Sequence, residues 1–237
     1  MILDASNPYQ PRIASVELNQ FISLVDRNSK LPLLVISDVD STFIKQEVID
    51  LLAGYANKQS EVAAVTERAM NGEIDFKESL KLRVATLKGL PASVLTEVSQ
   101  QIVVADGGVD LIEYLKKRNH HFALVSGGFV QILEPFCQNL EIENFKANNL
   151  EVKNSILTGN IVGEVVDAKA KADYLITLAQ QFEIPLSNVI AIGDGANDLE
   201  MMKIAGLSVS FNGKPKVTQA ADISIVGPWL NHVIELL

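Results

Sequence analysis

Three short apolar runs, each ending abruptly in polar or small residues, constrain this chain more than any other feature. Leu33-Leu34-Val35-Ile36 runs into Ser37-Asp38-Val39-Asp40-Ser41-Thr42. Phe122-Ala123-Leu124-Val125 runs into Ser126-Gly127-Gly128, and Val189-Ile190-Ala191-Ile192 into Gly193-Asp194-Gly195-Ala196-Asn197-Asp198. A strand that is apolar at every position needs cover on both faces, the situation of a parallel sheet between helices. Segments 107–118, 129–139, 168–181 and 197–205 have helical spacing, and short strands are expected near 207–211 and 223–226. The alternation predicts an α/β fold with a parallel sheet covered on both faces. Ligands of such sheets bind outside the carboxyl ends of the strands, so the three polar ends are expected to share one crevice.

One stretch interrupts the alternation. Between 46 and 103, segments 46–56, 60–71, 75–88 and 91–102 all look helical, with Asp75 and Pro91 suited to helix starts. This block is expected to be an inserted helical cap, 46–103, on a core formed by 31–45 and 104–237. Residues 1–30 read as an extension: an irregular lead-in over 1–12, then a helix over 16–27 that packs on the core. Two extended runs within 150–166 predict a hairpin turning at Thr158-Gly159-Asn160.

Composition narrows the class of partner. Acidic residues outnumber basic ones, 29 to 20, which argues against nucleic acid or an anionic membrane. A single cysteine, Cys137, excludes an internal disulfide and an all-cysteine zinc site. No apolar run approaches a membrane span, and the first residues lack a signal-peptide layout, so a cytoplasmic location is expected.

The chemistry lies in the strand ends. Asp38 and Asp40 just past a buried strand are costly unless their charge is offset. A hard divalent cation would do so, and Asp194 and Asp198 would complete an all-oxygen Mg²⁺ site. A carboxylate is also a nucleophile towards phosphorus. Ser126 offers a hydroxyl, Gly127-Gly128 lets backbone N–H groups approach a phosphate at a helix start, and Lys171 is the candidate cation.

These motifs, in this order, resemble the haloacid dehalogenase superfamily of aspartate-nucleophile phosphotransferases. The D-x-D-x-T signature is Asp38–Thr42, the Ser/Thr motif Ser126, the lysine motif Lys171, and the acidic motif GDGAND at 193–198. Within it the chain is similar to the phosphoserine phosphatases, through Glu47, seven residues after Asp40, Ser79-Leu80-Lys81-Leu82-Arg83-Val84, and V-S-G-G-F at 125–129. The resemblance spans roughly 32–227 and implies a Rossmann-like core with a helical cap of the C1 type after the first strand.

It also implies roles. Asp38 attacks phosphorus; Asp40 protonates the leaving oxygen and then activates water. Asp38, the backbone carbonyl of Asp40, and Asp194 hold Mg²⁺, with Asp198 just behind, orienting the metal waters or Lys171. Ser126, Gly127 and Lys171 hold the phosphate, and Asn197 reaches the substrate. In the cap, Arg83 suits a carboxylate and Glu47 an ammonium group, with Met70 and Phe76 as pocket walls. The bland alternatives are that Glu47 and Arg83 bridge each other and that Met70 and Phe76 are core. The implied activity is hydrolysis of O-phosphoserine, the last step of serine biosynthesis, by a monomer or homodimer. Transfer to an alcohol such as homoserine, or hydrolysis of another small phosphomonoester, remain open.

Overall fold

The computed structural model describes residues 2–4, 31–70 and 73–237. The helix expected over 16–27 and the side chain of Met70 lie outside the described residues. In chain order the strands are β1 (Ile2–Asp4), β2 (Leu34–Ser37), β3 (His121–Phe129), β4 (Asn144–Lys153), β5 (Ile156–Val162), β6 (Val189–Gly193), β7 (Leu207–Phe211) and β8 (Ile223–Val226). The described α-helices are α1 (Val48–Ala56), α2 (Gln59–Met70), α3 (Phe76–Ala85), α4 (Ser93–Ser99), α5 (Gly108–Lys117), α6 (Val130–Asn139), α7 (Ala168–Gln181), α8 (Leu199–Ile204) and α9 (Pro215–Ala220). None is long and apolar enough to cross a membrane.

The chain divides into two compact units, one of Met1–Lys45, Val104–Val125 and Ala168–Leu237, the other of Gln46–Val103 and Ser126–Asp167. The helical block thus shares a unit with 126–167.

The first unit is built on a parallel sheet in the order β1-β8-β7-β6-β2-β3. The apolar runs form its centre, and every residue of β2, β6 and β7 is buried, as strands covered on both faces require. In register, Ser37 lies opposite Ile192 on one side and Leu124 on the other. The expected lead-in contains a surprise: Ile2–Asp4 pairs in parallel with β8, Leu3 opposite Ile225. Three residues are too few for a periodicity argument, which is why the pattern did not reveal this strand.

The second unit packs helices with a β4–β5 hairpin. Asp75 caps α3, its carboxylate accepting from the Glu78 N–H at 2.8 Å, as expected. The last predicted helix is shorter than its pattern, Ser93–Ser99, because Pro91 bridges Ile156 of β5 instead of starting it. The hairpin turns at Asn154 and Ser155, with φ of 52° and 60°, not at Thr158-Gly159-Asn160. Two consecutive left-handed residues are what a tight hairpin turn demands, and Asn meets that demand without glycine. Gly159 serves another purpose inside β5. Its φ is +83°, and a Cβ there would lie 3.2 Å from the Ala85 carbonyl oxygen, so the strand could not approach the end of α3 with a side chain at that position. Thr158 and Asn160 donate to the Glu151 carboxylate at 2.7 and 3.1 Å. With Lys153, whose hydrogen bond has the largest effect, they hold Glu151 down at about 2.

Candidate active site

The first unit gathers Asp38, Asp194, Asp198 and Lys171 in one buried cluster. Asp38 directly follows β2, and its N–H extends the ladder to the Ile192 carbonyl at 2.8 Å. The chain then turns sharply over Val39–Phe43, closed by the Ile44 N–H on the Val39 carbonyl at 2.9 Å. Ser41 takes φ +56° in that turn, a conformation uncommon outside glycine and one that clusters at functional sites. Asp38 is buried and Asp40 half-buried.

Beyond β6, Gly193 to Asp198 fold back on themselves. The Asp198 carboxylate is fully buried and accepts from the N–H groups of Asp194 and Gly195 at 3.2 and 3.0 Å. A Cβ on Gly193 would meet Asp198 Oδ2 at 2.5 Å, so glycine is what permits the fold-back. Gly193→Ala is therefore expected to displace Asp198. Activity should fall by about 10²-fold or more, because ångström-scale misplacement of reacting groups is that costly. Overpacking should lower stability by about 1–3 kcal/mol. Phosphate release and thermal unfolding would read the two effects, and unchanged activity would show that Asp198 is not needed where it sits.

Lys171, on α7, is the pivot. Its side chain has no solvent exposure, yet it carries an ammonium group. That group donates to Asp38 Oδ1 and, at 2.6 Å, to Asp198 Oδ1. Burial alone would push the ammonium towards its neutral form, but Asp198 and Asp38 outweigh burial and raise Lys171 above the ordinary lysine value. Asp38 feels the reverse balance. Burial first, then the charge of Asp198, raises it well above the usual carboxylate value, against the opposing pull of Lys171; Asp194 and Asp40 add to the rise.

Carboxylate oxygens of Asp38, Asp194 and Asp198 lie within 4.8 Å of one another, all buried. Three crowded carboxylates with one buried lysine among them fit a hard divalent cation, whose charge would relieve the repulsion that raises Asp38. Asp198 is less suited to direct ligation, since both its oxygens already accept hydrogen bonds. Asp194 is held differently. The Thr42 hydroxyl lies 3.4 Å from its Oδ1, and Lys214 Nζ lies 3.9 Å from its Oδ2. Sequence reasoning assigned neither Thr42 nor Lys214 a role. Position could have flagged Lys214, which follows β7 as the acidic motif follows β6. Asn197 is half-buried on the same fold-back.

The remaining expected residues lie in the second unit. Ser126 and Gly127 fall inside β3, which runs on to Phe129 before α6 begins, so they occupy a strand end and not a helix start. Two glycines hid the continuation of the strand. Ser126 is buried, its hydroxyl oxygen accepting from the Gly128 N–H at 2.7 Å. Asn148 pins this segment, donating to the Gly127 carbonyl at 2.8 Å and accepting from the Val166 N–H at 2.8 Å. Glu47 precedes α1 and is half-buried, as are Phe76 and Arg83 on α3. The Arg83 Nε–H reaches back to the Ser79 carbonyl at 3.4 Å.

The chain is similar to known proteins over most of its length. Residues 35–203 match the model of the haloacid dehalogenase-like hydrolases. Phosphoserine phosphatase SerB2 of Mycobacterium tuberculosis is 45% identical over 204 residues, 86% of this chain. The chain spans half the length of that relative. A phosphoserine phosphatase of Streptococcus thermophilus is also 45% identical over 204 residues, and there the match spans 95% of the relative. Among solved structures, a phospho-aspartyl intermediate analogue of phosphoserine phosphatase superposes with a TM-score of 0.83 at 36% identity, covering 87% of this chain and 99% of that one.

Proposed function

The chain belongs to the haloacid dehalogenase-like hydrolases, and from that premise we propose that it hydrolyses O-phosphoserine to serine and phosphate through an aspartyl phosphate on Asp38. The observation that carries the reading is the buried Asp38 carboxylate, joined by hydrogen bond to Lys171 and grouped with Asp194 and Asp198. Relatives named for this substrate, alike over 86% of the chain, point to phosphoserine.

The reaction divides into two half-reactions. An Asp38 oxygen attacks phosphorus, the Asp38–phosphorus bond forms, and the bond from phosphorus to the serine oxygen breaks. Asp40 gives its proton to that oxygen. In the second half Asp40 takes a proton from water, the water oxygen bonds to phosphorus, and the Asp38 carboxylate is released. One carboxyl group thus works as acid and then as base. Lys171 holds Asp38 in place and offers positive charge where negative charge builds on the phosphoryl oxygens. Mg²⁺, held by Asp38, Asp194 and the Asp40 carbonyl, would neutralise phosphoryl charge and let two anions meet. Asp198 would orient Lys171. Ser126, Gly127 and Asn197 would bind phosphate and substrate.

For the amino-acid end, Arg83 is assigned to the carboxylate and Glu47 to the ammonium group, with Phe76 as an apolar wall. Arg83→Ala is expected to lower kcat/KM for L-phosphoserine by about 10²-fold or more, because a charged hydrogen-bonding partner is lost. It should change hydrolysis of a generic aryl phosphate only slightly. Equal losses for both esters would give Arg83 a structural role. The overall reading is tested by phosphate release from L-phosphoserine beside a panel of small phosphomonoesters, with Mg²⁺ and with a chelator. Metal-dependent preference for phosphoserine is expected; preference for another ester would refute the substrate.

A further inference from the structure

Lys214 is a cation placed by the fold against the acidic centre. It follows β7, at the carboxyl end of the same sheet, and its N–H donates to the Asp194 carbonyl at 2.9 Å. The loop that carries it is pinned on both sides. Asn212 donates its N–H to the Ile225 carbonyl at 2.9 Å, and its side chain exchanges two hydrogen bonds with the Gly227 backbone, at 2.8 and 2.9 Å. Gly213 packs so closely that a Cβ there would lie 2.1 Å from Ser210 Oγ. Pro215 at the first position of α9 fixes the exit. From this loop the Lys214 ammonium reaches to 3.9 Å from Asp194 Oδ2, with 57% of its side chain exposed against 12% for Asp194.

Such a pair adds little to stability: it is long, wet on one side and screened by salt. Its consequence is local charge. Lys171 is buried between Asp38 and Asp198, whereas Lys214 faces Asp194 from the solvent side. We infer that Lys214 is a positioning residue for the reaction, setting the charge balance of the Asp194 carboxylate. It holds back the affinity for the divalent cation and raises the affinity for the phosphate dianion. The two effects have opposite signs because one fixed positive charge repels one ligand and attracts the other. This inference rests on the phosphoryl-transfer reading of the site but not on which ester is turned over.

The test is isothermal titration calorimetry on substrate-free protein, first with Mg²⁺, then with orthophosphate added to the Mg²⁺-saturated protein. In Lys214→Met, Mg²⁺ is expected to bind about three- to tenfold tighter and orthophosphate weaker by a similar factor, the range for a half-exposed charge a few ångströms away. Lys214→Arg should hold both within about twofold, since it keeps the charge. Lys214→Gln repeats the first variant with a polar side chain, in case Met perturbs the loop. In steady state the loss should fall on KM for the phosphoester more than on kcat. Unchanged constants, a parallel loss of both affinities, or a change in only one of them would overturn the inference. Opposite shifts in a protein that prefers another ester would leave it standing while removing phosphoserine as the substrate.

Discussion

Asp38→Asn should reduce phosphate release by at least about 10³-fold, since an amide is a very poor nucleophile towards phosphorus and the proposed first half-reaction offers no other route. Residual turnover near that of the wild type would sink the covalent mechanism. The substitution nearly preserves shape, so its effect on stability separates chemistry from folding. Burial and the neighbouring Asp198, Asp194 and Asp40 raise Asp38 well above the ordinary carboxylate value even with Lys171 in contact. An acid raised on folding contributes stability below its unfolded value, about 4, and that contribution is lost as pH rises through its folded value. Once ionised, Asp38 therefore weakens the metal-free fold. Metal-free Asp38→Asn is expected to melt at a higher temperature than the metal-free wild type at pH 7, with the difference shrinking towards pH 4. A variant that is inactive and also less stable at pH 7 would mean that the Lys171 pair outweighs the crowding. Loss of activity with gain of stability is the usual sign of a site strained for function.

How much of this was legible in the sequence depends on the range of the signal. The continuous apolar runs gave the central strands because burial on both faces leaves no alternation to misread. The acidic motifs were legible because a charge at a strand end has few physical explanations, and Lys171, on a helix, was legible only through its place in the order of motifs. Asp198 shows where that reading stops. The resemblance has Asp198 orient the metal waters or Lys171, and it does accept from Lys171, but its acceptance from two backbone N–H groups depends on a fold-back that leaves no local pattern. The hairpin turn was misplaced because Gly159 is the stronger turn signal, although its absent side chain answers to contact with α3 instead. Lys214 escaped notice because a lone lysine before a proline reads as a solvated helix start. Its relation to Asp194 spans two strands of the sheet and leaves no local pattern.

Lys171→Met should be the most damaging single change at this site, because it removes the cation proposed to act in catalysis and leaves its buried partners uncompensated. The side chain of Lys171 is wholly buried, and those of its partners are 6% and 0% exposed for Asp38 and Asp198. Breaking a buried ion pair by deleting one member typically costs about 3–5 kcal/mol, a large part of a domain's total stability. Met matches the length of the lysine stem, so a cavity contributes little and the loss reports the charge. The pH dependence then identifies the cause. Lysine raised on folding contributes stability that is fully present below its unfolded value, about 10.5, and is lost only as pH rises through the higher folded value, so the wild type keeps this contribution at pH 7. Without the ammonium the pull that lowers Asp38 is gone, and Asp38 rises further. The deficit of Lys171→Met relative to the wild type should therefore be greatest where Asp38 is ionised and shrink as pH falls through its raised folded value, where the carboxyl group takes up a proton. Urea denaturation at several pH values would measure it, and a deficit independent of pH would assign the loss to packing. Saturating Mg²⁺ should recover part of the stability at pH 7 by replacing the missing charge, while activity stays down at least about 10²-fold because the cation that orients Asp38 is gone. Recovery of turnover together with stability would show that Lys171 only balances charge and takes no part in catalysis.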